Sequence, residues 1–86
     1  MTAACKGARV PRNPTPDEAL ARALKRLRAE REMTQEAVAY RAGIAVGSLA
    51  KIETARTVPS WDTVRRIAQA LDTSLVELAK AVEAEG

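Results

Sequence analysis

With no His and a single Cys, Cys5, this chain leaves its chemistry to hydroxyls, amides, carboxylates and cations. An internal disulfide, a Cys/His zinc cluster and a Ser/His or Cys/His catalytic pair are out of reach. No set of residues supplies a nucleophile, a base and a metal together, so neither an enzyme nor a cofactor is expected. What the side chains offer is recognition. Residues 1 to 66 hold 13 Lys/Arg against 7 Asp/Glu, whereas residues 67 to 86 hold 1 against 4, within a net charge of +3. One end of the molecule is suited to an anionic partner, although basic residues also serve simply to solvate helix faces. The basic part contains one apolar interruption, Ala45-Val46-Gly47, followed by Ser48 and Lys51. That stretch needs elements to hold it.

Eighty-six residues suffice for one small domain with a modest core. A lone Cys fits a reducing, cytoplasmic setting. No run approaches the length of a signal-peptide core or a bilayer span, so no membrane association is expected. Tyr40 and Trp61 are the only aromatic residues, which leaves the core to Leu, Ile, Val and many Ala, a composition suited to close-packed helices.

Residues 1 to 14 have no apolar period and read as a flexible basic arm carrying Lys6, Arg9 and Arg12. Order is expected over 15–86. Thr15-Pro16-Asp17-Glu18 predicts a cap at Thr15 with Pro16 at the first helical position. The helix that follows runs to about Glu32 and buries Leu20, Leu24 and Leu27, with Arg22, Lys25, Arg26 and Arg31 toward water. Thr34 caps a second helix to Ala42, with Val38 and Ala39 inward, and Gly43 stops it. A third spans about Ala45 to Glu53. Ser60 caps a fourth to about Leu71, burying Trp61, Val64, Ile67, Ala68 and Leu71. Ser74-Leu75-Val76-Glu77 opens a fifth, which buries Leu75 and Leu78. The predicted fold is an all-α bundle of five helices.

Two helices crossing steeply through a short turn need a small residue where their backbones meet and one that tolerates positive φ between them. Ala39 and Gly43, four apart, supply these. Ile44, Leu49 and Ile52 give the second helix its apolar side, leaving Val46, Gly47, Ala50 and Lys51 outward on a helix that fits a major groove about 12 Å wide.

From about Leu20 to Leu78 the chain resembles the Cro/phage-repressor-like, or XRE-type, helix-turn-helix domains. The resemblance is carried by LKRLRAEREMTQEAVAYRAGI, SLAKIE and VPSWDTVRRIAQALDTSLVEL. It implies a compact lambda-repressor-like bundle that binds double-stranded DNA. It further implies that Gln35 bonds a phosphate at the start of the second helix and that Arg28 and Glu53 form a buried structural pair. Val46, Gly47 and Lys51, with Ala45, fall at the base-reading positions. Ser48 and the loop residues Thr54, Arg56 and Thr57 are candidate phosphate contacts, with Arg9 and Arg12 of the arm beside them. Read alone, each of these charges is equally an ordinary surface group.

The chain also departs from that family. Ala45 stands where a capping Ser or Thr is usual, at a cost of about 1 kcal/mol. Val46 and Gly47 replace hydrogen-bonding readers, and glycine inside a helix costs a further 0.5–1 kcal/mol or so. Ala55 replaces a glycine, so the loop after the third helix is expected to take a different path. The leading expectation is a transcriptional regulator acting as a homodimer on a two-fold symmetric operator, with Val76, Ala79, Ala81 and Val82 of helix five at the dimer contact. The alternative is a protein-binding adaptor or antagonist, with an antitoxin that also binds a toxin standing between the two.

Overall fold

A computed structural model describes residues 17–85, and among them it contains helices and no strand. The elements are α1 (Glu18–Glu30), α2 (Gln35–Ala42), α3 (Val46–Glu53), α4 (Trp61–Ala70) and α5 (Leu75–Glu85). None of these helices is long and apolar enough to cross a membrane. The arm expected over 1–14, with Arg9 and Arg12, lies outside the described residues, as does Thr15.

Local chemistry accounts for where the helices begin. Thr34, Ser60 and Ser74 each accept a hydrogen bond from the backbone N–H three residues on, at 3.0–3.1 Å, which satisfies one of the donors a helix N-terminus leaves over. The start of α1 differs from the sequence expectation. Its cap is Asp17, whose carboxylate accepts from the Leu20 N–H at 3.0 Å. Asp is as good a cap as Thr, and here it stands two residues later. At α5 the reciprocal half of the capping box is redirected, because Glu77 Oε1 accepts from the Thr73 hydroxyl at 3.2 Å.

Helix ends follow one recurring geometry. Glu32, Gly43, Ala55 and Asp72 all have φ between 53° and 73°. In each case the next residue's N–H reaches back to the carbonyl five positions earlier, as Ile44 does to Ala39 and Arg56 to Lys51. These are Schellman closures, which usually employ glycine. Only Gly43 is one. The left-handed Glu32 explains why α1 stops at Glu30 and not at Glu32. Ala55 corrects the expectation of an altered loop path: the chain takes the ordinary left-handed turn and accepts the strain of a side chain there.

The core gathers Leu24 and Leu27 of α1, Val38, Ala39 and Ala42 of α2, Leu49 and Ile52 of α3, Ile67, Ala68 and Ala70 of α4 with the following Leu71, and Leu78 of α5. α2 packs on α4, α1 on α5, and α3 lies against both α1 and α2. Trp61 is not in this core. It is 66% exposed, because the first position of α4 falls at the margin of the stripe formed by Val64, Ile67 and Ala68. Its ring borders an apolar groove with Leu20, Leu75 and Val82. Arg22 and Arg26 do not point only to water, since both reach Glu85, at 3.5 and 3.3 Å, and tie the end of α5 to α1. Such half-exposed ion pairs contribute at most about 1 kcal/mol each.

Arg28 and Glu53 behave differently. Glu53 is 2% exposed. Arg28 grips it with two parallel bonds, Nε to Oε2 at 2.9 Å and Nη2 to Oε1 at 3.0 Å. The third guanidinium nitrogen, Nη1, donates to the Met33 carbonyl at 3.1 Å, and Gln35 Nε2 donates to Glu53 Oε1 at 3.0 Å. One carboxylate therefore joins the end of α1, the start of α2 and the end of α3.

Removing Arg28 leaves the buried Glu53 carboxylate uncompensated, so Arg28→Ala is expected to lose about 3–5 kcal/mol, and Glu53→Ala less, because the Arg28 side chain keeps 23% of its surface open to water. Denaturant unfolding of both singles and the double should give a strongly non-additive cycle. Additive losses below about 1 kcal/mol each would mark them as independent surface charges. A second pair of variants exchanges residues at the two ends of α3. Ala55→Gly relieves a left-handed alanine and Gly47→Ala fills a helical glycine around which a Cβ would meet nothing within 4 Å. Each should stabilise, by about 1 kcal/mol and 0.5–1 kcal/mol respectively. A lower thermal midpoint for either would show that something other than backbone preference selects the native residue there.

Candidate nucleic-acid interface

The α2–turn–α3 unit is held from inside by Val38, Ala39, Leu49 and Ile52, all buried. Gly43, at φ 73°, donates to Tyr40 O, and Ile44 donates to Ala39 O at 3.0 Å. Ala39 and Gly43 thus occupy the two turn positions that the spacing suggested, one packed and one left-handed. The outcome is a short α3 whose inner side is Leu49, Ile52 and Glu53.

Its outer side consists of Val46, Gly47, Ser48 and Lys51, all exposed, with Ala50 half-buried beside them. Val46 is 42% exposed. Ala45 caps α3 with its carbonyl, which accepts from Ser48 and Leu49, but contributes no side-chain hydrogen bond. The first-turn amides of Val46 and Gly47 therefore have no acceptor in the helix and point along its axis beyond the N-terminal end. Partial positive charge at a helix start favours an anion or an acceptor group there.

Around this edge the other candidates divide. Lys51, Ser48 and Thr57 line one open cleft of about 420 Å³ with Ser60 and Thr63, bringing a cation and several hydroxyls to the flank of α3. Arg56 is exposed on the loop directly after the helix. Thr54 is turned back, because its hydroxyl donates to Ala50 O at 2.9 Å and approaches Lys51 O at 3.3 Å; its oxygen retains only acceptor capacity, which suits no phosphate. Gln35 is also engaged, with one amide hydrogen on Glu53. The amide's remaining hydrogen is the one available to an outside acceptor.

Two features escaped the sequence reading. Lys25 of α1 shares a recess of about 170 Å³ with Arg22, Thr54 and Ala55, which places it beside the loop from a position thirty residues away in sequence. Ser60, read as a cap, and Thr63 join the cleft next to Lys51, with their hydroxyls 2.9 Å apart. Only the fold connects either group with α3, so no local signal marked them.

A family model described as a helix-turn-helix domain matches residues 19–81. No curated protein matches the sequence. Among solved structures, the fold is similar to that of the clp gene regulator ClgR from Corynebacterium glutamicum, with 25% identity and a TM-score of 0.76 over 83% of this chain and 76% of that one. It is also similar to the wild-type restriction-modification controller protein C.Esp1396I, with 22% identity and a TM-score of 0.78 over 85% and 94% of the two chains. The same controller protein, solved as a tetramer in complex with its natural 35 base-pair operator, gives 22% identity and a TM-score of 0.78 over 85% and 96%. With its turn glycine, crossed helices and buried anchor in place across the matched residues, the chain belongs to the helix-turn-helix domain family.

Proposed function

We propose that this domain is a sequence-specific DNA-binding transcriptional regulator that acts as a dimer on a two-fold symmetric operator. The observation that carries this reading is the outward edge of α3. It combines open helix-start amides, small side chains that permit close approach, and Lys51 and Arg56 at its far end. An α-helix, about 10–12 Å across with its side chains, fits a major groove about 12 Å wide, and the cations lie where the flanking phosphates would run. Membership of the helix-turn-helix family supports the reading, and so does likeness to a controller protein solved on its operator and to a gene regulator.

In this reading Val46, Gly47 and Lys51 face base edges, with Ala45 at the rim. Gln35, Ser48, Arg56 and Thr57 hold the phosphates, joined by Lys25, while Arg9 and Arg12 of the arm follow the adjacent backbone. Thr54 serves as a cap for α3. Arg28 and Glu53 touch no DNA and set the angle at which α3 is presented.

Support for a second copy comes from an apolar groove that no residue of α3 lines. A groove of about 310 Å³ lies between α1, α4 and α5, lined by Leu20, Trp61, Val64, Leu75, Ala79 and Val82. Val76 is exposed close by on α5. α5 packs on α1 and α4, so covering this groove leaves α3 free. Of the residues expected at a dimer contact, Ala79 and Val82 line the groove and Val76 is exposed nearby, while Ala81 is half-buried against the core. An exposed Trp at an apolar groove is also what a protein-binding adaptor or an antitoxin would present to its partner, and the stoichiometry on DNA separates the two.

Binding to duplex DNA is expected to weaken linearly on a log–log plot against salt, with a slope of about −0.9 for each phosphate neutralised. Arg56→Ala should therefore reduce that slope by about 2 if two copies bind each operator and by about 1 if one does. A slope near zero in the unmodified protein would exclude DNA as the partner, and an unchanged slope in Arg56→Ala would remove Arg56 from the interface.

A further inference from the structure

The chemistry of the α3 edge can be taken further, on the footing of the DNA-binding reading above. A helix turns about 100° per residue. With Leu49, Ile52 and Glu53 buried, Gly47 and Lys51 fall on the crest of the exposed face, Val46 and Ala50 on one flank and Ser48 on the other. The two flanks differ. On the Ser48 side the cleft wall carries the hydroxyls of Thr57, Ser60 and Thr63. On the other flank α3 itself contributes only the methyl groups of Val46 and Ala50.

At the crest stands a glycine with no internal reason to be one. A Cβ on Gly47 would meet nothing within 4 Å beyond the adjoining backbone of α3 itself, and the backbone there is helical. Glycine weakens a helix at such a position, so its use there points to a need outside the protein, namely room for another molecule against the α3 backbone. Val46, at the same end and 42% exposed, is the apolar side chain beside that opening.

In a major groove the base edges offer hydrogen-bond donors and acceptors with one exception. That exception is the C5-methyl group of a pyrimidine, present on every thymine and on cytosine only when it is methylated. We infer that Val46 is a specificity-determining residue that packs on a pyrimidine C5-methyl group, with Ala50 beside it. Gly47 lets the α3 backbone approach closely enough for that contact. Lys51, one turn further on, takes a polar base edge or a phosphate.

The test begins with a duplex enriched from a random DNA pool by the full-length protein. Each thymine of one half-site is replaced in turn by uracil, which deletes the methyl and preserves pairing. At one or two positions uracil should weaken binding by about fivefold, the lower end of what a lost base contact costs. Cytosine and 5-methylcytosine placed at those positions identify the source: a methyl-dependent gain shows that either pyrimidine is read, and equal binding confines the contact to thymine. Val46→Ala should bind the thymine and uracil duplexes alike while keeping the wild-type unfolding midpoint. Lys51→Ala should bind every duplex more weakly yet keep the thymine-to-uracil ratio. Equal binding of both duplexes by the wild type, or a ratio retained in Val46→Ala, overturns the inference while leaving DNA binding intact. A pool that yields no enriched duplex overturns both readings and assigns the apolar flank to a protein partner.

Discussion

Much of this small fold depends on one carboxylate held inside it by its partners. Glu53 ends α3, Arg28 lies in the last turn of α1 and Gln35 begins α2. All three meet within hydrogen-bonding distance around the buried Glu53 carboxylate. A buried charge is tolerated only with its partners in place. The Arg28 fork is planar and directional, so it accepts Glu53 in one orientation. The rotation of α3 about its own axis is thereby determined, and with it which residues face outward. Apolar packing alone would bury Leu49 and Ile52 but would specify that rotation less strictly. The network's value to the protein is thus as much in aim as in stability.

That external hold matters because α3 is weak in its own terms. Its start lacks a side-chain cap, its first turn contains Gly47, and the turn that closes it forces Ala55 into the left-handed region. Each of these costs on the order of 1 kcal/mol. The helix has eight residues, too few to be stable by propensity. It persists because Leu49, Ile52 and Glu53 are anchored in the rest of the molecule. The residues freed from that task are Ala45 to Ser48, all exposed. Weakness at the edge and firmness at the anchor are two sides of one arrangement.

Much of this was legible in the sequence wherever the deciding interaction is local. Thr34, Ser60 and Ser74 announce their helices because a hydroxyl and an amide three residues on are enough, and Gly43 announces its turn because positive φ favours glycine. Helix-facing periodicity placed Leu24, Val38, Ala39, Leu49, Ile52, Ile67 and Leu78 inward. Legibility failed where two local signals competed or where the answer lay in tertiary packing. Thr15-Pro16 and Asp17 both offer a helix start, and nothing nearby decides between them. The left-handed Glu32 carries no compositional mark, and Asp72 carries only the weak one that Asp tolerates that region. Trp61 looks like core by size, yet its place at the edge of the α4 stripe leaves it at the rim of a groove. The nearness of Lys25 to the α3 loop, and of Ser60 and Thr63 to Lys51, exists only once the helices are packed. For the Arg28 and Glu53 pair, family resemblance supplied what spacing alone left open.

The central claim is that the face aimed by the Glu53 anchor is the face that meets DNA. The most direct measurement is a map of backbone amide chemical shifts as duplex DNA is titrated into the isotopically labelled protein. The largest changes are expected at Val46, Gly47, Ser48, Lys51 and Arg56, with Gln35 responding at the start of α2. Changes centred instead on Trp61 and α5, with α3 unaffected, would contradict it.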